Sequence, residues 1–497
     1  MLKSTRRIIA ALMFVLVTLL FLDFTGMMHL WFGWIAKVQL IPAILAVNVV
    51  VVVGLILLTL LFGRIYCSVI CPLGIFQDGV SSIAGKRKKK KSRFRFSSAK
   101  SWLRYGVLGV FIIAKIVGIS AVFSLLDPYA AFGRIASNFF TPIYRWGNNL
   151  LALLAERADS YAFYSIEVWM KGWITFGVAT ITLIIVSILA WRNGRTYCNT
   201  ICPVGTILGF LSKFSIFRLT FDVEKCTKCS VCERGCKSSC IDAKAMNIDH
   251  SRCVTCFNCI DKCKFGAMSY APVKIGKKKS VEPIATDKDV SRRNVLTLLG
   301  TMAITSTIKA QQLHVDGGLA EIEDKKIPDR KTPLVPPGSL GAKNMEKHCT
   351  ACQLCISACP NNVLRPSNKL ATFMQPEMSF ERGYCRPECT ECSRVCPTSA
   401  IKPITAADKS AISIGAAVWI KDNCVVNRDE VQCTNCEYHC PTGAITLVKR
   451  NPEDSKSLKI PVVDKGLCIG CGACEYLCPA RPFSAMYVEG NVRHHSI

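Results

Sequence analysis

The sequence predicts an α-helical membrane part followed by two small α+β units built around cysteine-held metal. Three observations carry this: four long apolar stretches in the first 220 residues, 24 of 29 cysteines falling into six sets of four, and a twelve-residue motif that occurs twice. A chain of 497 residues exceeds what one hydrophobic core usually serves, so at least three units are expected.

The apolar stretches, 8–28, 43–63, 104–126 and 173–191, are each long enough to cross a bilayer. The first lacks a small-residue cleavage site and three more follow it, so it reads as a retained helix rather than a signal peptide. Basic residues cluster at Arg6 and Arg7, in GKRKKKKSRFRF at 85–96, and after the fourth stretch. The positive-inside rule therefore predicts a cytoplasmic N-terminus and a cytoplasmic 192–290, with Trp31 and Trp34 at the outer interface.

GRIYCSVICPLG at 63–74 follows the second stretch and GRTYCNTICPVG at 194–205 follows the fourth, as expected of two equivalent helical hairpins. Cys67 with Cys71, and Cys198 with Cys202, are four apart, which on a helix is one face at about 6 Å between Cα atoms. Two readings stand: a structural turn, or a redox or metal site, with soft metals favoured by thiolate. Lys115 falls near the centre of the third stretch, where an unpartnered ammonium costs about 3 kcal/mol or more. It either packs against a polar group such as Asn48 or binds a cofactor, lining a quinone or proton pocket. His29, at the outer end of the first stretch, is the only histidine near the four, which leaves no ligand pair for a bis-histidine haem.

CTKCSVCERGC at 226–236 and CVTCFNCIDKC at 253–263 are two copies of C-x2-C-x2-C-x3-C. In two-cluster ferredoxins the fourth cysteine of such a run ligates the other 4Fe-4S cluster. One predicted ligand set is Cys226, Cys229, Cys232 and Cys263; the other is Cys253, Cys256, Cys259 and Cys236. Cys240 is left over, as a small buried residue or a substitute ligand. Lys237 and Lys264 stand where a proline usually follows, and raise the potentials if they lie close.

Next comes SRRNVLTLLGTMAITSTIKA at 291–310, where Arg292 and Arg293 precede a modestly apolar segment. This has the form of a twin-arginine signal, suited to a domain that takes up its clusters before crossing a membrane, with 294–310 as a fifth, anchoring helix. Four further sets follow: Cys349, Cys352, Cys355, Cys359; Cys385, Cys389, Cys392, Cys396; Cys424, Cys433, Cys436, Cys440; and Cys468, Cys471, Cys474, Cys478. All four end in Cys-Pro. Spacing leaves the crossover open between nested pairing, first set with fourth and second with third, and sequential pairing.

The predicted units are thus a four-helix membrane domain at 1–215, a two-cluster ferredoxin-like domain at 216–275, a linker with the anchor helix at 276–345, and a four-cluster ferredoxin-like domain at 346–497. The formal charge of +27 does not imply nucleic acid. Six clusters with their thiolates subtract about 12 charges, the basic runs flank apolar stretches, and no nucleic-acid motif accompanies them. A disulfide scaffold is excluded by the tight cysteine spacing in so long a chain.

Helices bearing C-x3-C-P loops and followed by a two-cluster unit resemble the membrane ferredoxin subunit of periplasmic nitrate reductase systems. The four-set domain behind a twin-arginine signal resembles the periplasmic ferredoxin of the same systems, as though the two subunits were fused; methylamine-utilisation ferredoxins share the layout. The resemblance implies an electron carrier or quinol dehydrogenase component in a bacterial inner membrane. It would hold six 4Fe-4S clusters, two on the cytoplasmic side and four on the periplasmic side, and pass electrons from the quinone pool toward a periplasmic reductase or small redox carrier. Two rival expectations are a cupric reductase or metal-delivery factor for respiratory oxidase assembly, and a redox sensor or maturation factor.

Overall fold

In the computed structural model, residues 2–87, 94–272 and 323–497 are described. The paired arginines and the anchor helix expected at 294–310 lie outside the described residues.

Two described helices are long and apolar enough to cross a membrane, Leu2–Leu22 and Trp173–Asn193; Val49–Phe62 is apolar but shorter. Two of the four expected spans are therefore broken. The stretch 43–63 divides into Leu40–Leu45 and Val49–Phe62, because the chain turns through Val47 (φ 54°) and Asn48 caps the second helix by accepting from the Val51 amide. The stretch 104–126 divides at Gly118, whose left-handed φ of 85° ends Ser101–Val117 before Ser120–Leu126 begins. The first helix starts at residue 2 rather than 8, and the charge of Arg6 is buried inside the protein instead of flanking a span.

The structure also contains a helical stretch that apolar counting misses. Pro128–Ile135, a π turn at Ala136–Phe140 and Thr141–Glu156 run on from one another. Asp127 starts the series, accepting from the Tyr129 and Ala130 amides with Pro128 at the first helical position. Phe21 of the first helix packs on Tyr129 and Phe132 of this stretch, within one core that also takes in Tyr66, Tyr197, Leu354 and Cys352.

The cysteine-rich units contain only two-stranded antiparallel ribbons. Phe217–Phe221 pairs with Met268–Pro272 and Ile241–Asp242 with Asn247–Ile248 in the first unit. In the second, Leu364–Pro366 pairs with Pro376–Met378, Ile412–Trp419 with Met486–Ser496, and Ile445–Lys449 with Lys459–Val463. The helices among them are three to seven residues long, and thiols occupy the cores: Cys232, Cys236, Cys240 and Cys259 pack with Leu219, Ile241 and Ile248. Units with so little apolar core depend on what their cysteines bind.

The two units touch opposite ends of the first helix. Lys3, in its first turn, pairs with Asp261 of the first unit. Just past its last turn, Gly26 faces Arg394 and Glu391 of the second. A helix of 21 residues separates these contacts by about 31 Å.

Candidate metal centres

Local backbone conformation explains why the regular cysteine runs face inward. In each C-x2-C-x2-C segment the residues two and four after the first cysteine have positive φ: Lys228 and Ser230, Thr255 and Phe257, Ala351 and Gln353, Gly470 and Gly472. Alternating left-handed residues wrap the chain so that successive amides point at one centre. Six of these eight residues are not glycine, and such backbone persists only where the surroundings over-determine it. The runs at Cys385 and Cys433 lack the pattern; Thr390 and Thr434 have φ of −117° and −120°.

The thiols gather in fours. Cys226, Cys229, Cys232 and Cys263 line one recess. Cys259 is within electrostatic reach of Cys256, Cys253 and Cys236, so the fourth thiol of each run lies beside the first three of the other. In the second unit Cys355 faces Cys352, Cys349 and Cys396. Cys359, Cys385, Cys389 and Cys392 line one recess; Cys440, Cys468, Cys471 and Cys474 a second; Cys424, Cys433, Cys436 and Cys478 a third. Pairing is therefore sequential, first run with second and third with fourth. The ribbon of Ile412–Trp419 with Met486–Ser496 brackets the third and fourth runs in the chain and sets them apart from the first two.

These sites fit an iron-sulfur core better than a single ion. Among the described residues no three His, Cys, Asp or Glu side chains close on one ion position, whereas the four-thiol recesses are walled mostly by apolar groups. Amides also point at sulfurs: Ala351 to Cys349 at 3.3 Å, Ala417 to Cys468 at 3.4 Å and Ala485 to Cys478 at 3.3 Å. Such bonds stabilise metal-bound thiolates. When bound, the cores would supply one-electron redox chemistry, and the chain's own contribution is to set spacing, charge and exclusion of water.

Charged residues outside the motifs complete the surroundings. Lys409 is buried and donates to the Cys389 carbonyl at 2.5 Å and to that of Arg386, which puts its ammonium beside the irregular set that lacks the left-handed turns. Arg330 donates to Glu475 at 2.5 Å, and Glu475 in turn accepts from the Val488 amide. Lys237 is not a free cation: its Nζ is 3.3 Å from Asp78, which limits the effect on potential expected from sequence, and Lys264 is exposed. Cys240 is not isolated either. Its sulfur is 3.5 Å from that of Cys236, and this hydrogen bond holds the Cys236 thiol down while the Cys240 thiol is pushed up.

Lys115 is in the last turn of Ser101–Val117 rather than at mid-span. Its ammonium donates to the Lys347 carbonyl and lies 4.7 Å from the Phe123 ring, so it ties the second cysteine-rich unit to the helices. Asn48 is occupied as a helix cap instead. His29 is held by Asp23 at 3.0 Å. Cys67, Cys71, Cys198 and Cys202 are all buried. Sequence reading missed that Arg6, Arg64 and Arg195 are buried around them, and that Arg6 and Arg195 share the anion Asp78. The signal was available for two: Gly-Arg-x-Tyr precedes the cysteines in both copies of the repeat.

A family model described as a 4Fe-4S binding domain matches residues 44–91 and 174–221, and one described as a 4Fe-4S dicluster domain matches 431–481. Ferredoxin-type protein NapF of Escherichia coli (strain K12) is 31% identical over 157 residues, 31% of this chain and 86% of NapF. The chain belongs to the ferredoxin-type 4Fe-4S proteins. The chain spans 42–66% of the length of the first curated relatives it matches. Uncharacterized protein MJ0749 of Methanocaldococcus jannaschii is 34% identical over 104 residues, 21% of this chain and 42% of that protein. Methylamine utilization ferredoxin-type protein MauM of Methylobacillus flagellatus is 34% identical over 155 residues, 30% of this chain and 64% of MauM. No solved structure matches.

Proposed function

We propose that the chain is a bacterial inner-membrane relay that carries electrons between the quinone pool and a periplasmic reductase of the nitrate reductase type, or a small redox carrier serving one. Six 4Fe-4S clusters would be held by the six thiol constellations, two in the cytoplasmic unit and four in the periplasmic one. The observation that supports this reading best is the seating of the two cysteine-rich units at opposite ends of Leu2–Leu22, a helix about 31 Å long whose length and composition suit a membrane span once the charges of its first turns are paired inside the protein. A quinol yields two electrons and each cluster carries one, so several centres on each side suit the conversion.

The test is anaerobic purification of the full chain in lipid nanodiscs, followed by addition of menaquinol or ubiquinol and EPR of the clusters. Reduction of clusters by at least one quinol is expected. Failure of both quinols, with dithionite still reducing the clusters, would defeat the proposal.

A further inference from the structure

The C-x3-C-P cysteines stand outside the six constellations, yet they converge. No disulfide joins any two of Cys67, Cys71, Cys198 and Cys202, and every pair among them is within electrostatic reach. The two loops meet through crossed arginines. Arg64 of the first loop donates to the Cys198 carbonyl of the second at 3.1 Å, and Arg195 of the second donates to the Cys67 carbonyl of the first at 2.6 Å. Each guanidinium also lies 3.8 Å from the sulfur in its own loop, Cys67 and Cys198 respectively. Gly74 and Gly205 are required by the same crossing: a Cβ at either would collide with the carbonyl and the arginine that meet there. The loops are thus related as two halves of one site, and neither half is complete alone.

Each of the four sulfurs has an N–H aimed at it. Cys67 has Arg64; Cys198 has Arg195 and, at 3.3 Å, Gln77; Cys202 has the Gly205 amide at 3.3 Å; Cys71 has the Gly74 amide. A neutral thiol or a disulfide is a weak acceptor, whereas this arrangement is what surrounds metal-bound thiolate, and amide-to-sulfur bonds of the same length occur in the ferredoxin-type sets. Arg64 Nε and Arg195 Nη2 are buried without a partner, so both cations have donors to spare toward an anionic centre. Each stretch matched by the 4Fe-4S binding domain model holds only two cysteines, which is half a ligand set. As at the other constellations, the four do not close on a single ion.

We propose that Cys67, Cys71, Cys198 and Cys202 together hold one further iron-sulfur cluster, shared by the two repeats. Its role, which rests on the relay reading, is the step between the two cysteine-rich units. On one side Arg64 donates to the Ser251 carbonyl at 3.0 Å and the Arg195 amide to the Lys237 carbonyl at 2.9 Å, beside Cys253 and Cys236. On the other side Tyr197 adjoins Cys202, and Asp127 and Arg134 lead from it to Cys352, whose carbonyl abuts Gly133. One electron moves per crossing: a cluster on the donor side loses it, a ferric iron of the shared centre becomes ferrous, and it returns to ferric as a cluster on the acceptor side is reduced. No bond forms or breaks and no proton moves.

The test is native mass spectrometry with iron, sulfide, zinc and copper analysis on the anaerobically purified full chain. Seven clusters are expected in the unaltered protein. The Cys67→Ser/Cys202→Ser variant should carry six and lose one EPR signal, and Arg64→Gln should keep the metal while that signal's potential moves negative. Six clusters in the unaltered protein with all four thiols open to alkylation on unfolding, or zinc or copper at the site, would overturn the proposal. The unaltered protein gives this answer without any variant, so misfolding cannot mask it. Quinols that fail to reduce any cluster would defeat the relay reading and leave the cluster count untouched.

Discussion

Asp78 is the anion on which the helices, the repeated loops and the first cysteine-rich unit meet. Arg195 Nε is 2.8 Å away, Arg6 Nη1 3.1 Å and Lys237 Nζ 3.3 Å. Burial pushes its carboxyl up, but Arg195 and Lys237 outweigh that and hold it well below the usual carboxylate range. Asp78→Asn keeps the shape and removes the charge, leaving three buried cations to face one another. Taking one partner from a buried ion pair costs about 3–5 kcal/mol. At 1.36 kcal/mol per tenfold, the junction should then open about two to three and a half decades more often. Hydrogen exchange reads this directly, because the Arg195 amide donates to the Lys237 carbonyl across the junction. In nanodiscs, exchange at Arg195 should rise at least about a hundredfold, while the ribbon strand Ile445–Lys449 is unchanged. Asp429→Asn, which removes the exposed partner of Arg428, should change neither. A rise of less than about tenfold at Arg195 would refute the assignment of Asp78 as the clamp.

Further outcomes test the ligand sets and their surroundings. Cys355→Ala and Cys396→Ala should each remove the same EPR signal and about four irons per chain; different signals would mean that the pairing is not sequential. Cys236→Ala should retain its cluster because Cys240 can replace the lost thiolate, and Cys236→Ala/Cys240→Ala should lose it, as measured by iron content. Lys409→Met removes a buried cation from the Cys359, Cys385, Cys389 and Cys392 site, so a redox titration should find that cluster alone at a more negative potential. Burial, with Arg218 nearby, pushes His250 down to about 4, so the folded protein holds it neutral while the unfolded chain takes up a proton near 6.5. Stability therefore falls as pH drops through this window, by up to about 3 kcal/mol, and His250→Gln should flatten the pH dependence of the thermal bleaching midpoint of the first unit between about pH 7 and 5.

The metal chemistry was the most legible part, because a cluster needs four thiolates at short range and C-x2-C-x2-C writes three of them into one turn of chain. The pairing in the second unit could not be read, since it depends on ribbons such as Ile412–Trp419 with Met486–Ser496 that join segments far apart in sequence. Helix boundaries were misjudged where a polar or left-handed residue interrupts an apolar run, as at Asn48 and Gly118. The helices from Pro128 to Glu156 carry too many polar residues for an apolar window, although Asp127-Pro128 marked their start. In sequence the charge on Arg6 reads as a membrane flank, and only its partner Asp78, seventy-two residues away, shows that it is internal.

The crossed arginines also set a timetable for assembly. Arg64 leaves the ribosome about 130 residues before Arg195, and at about 5–20 residues per second that is an interval of roughly 7–26 s. During it the first loop has a guanidinium without its Cys198 carbonyl and two thiols without their counterparts. Lys237 and Ser251, which seal the junction, follow the second loop within about 60 residues. The nascent chain therefore passes through a stage in which a half-formed site is open to oxidants and stray metal ions, and it is closed by the first cysteine-rich unit well before the second has been made.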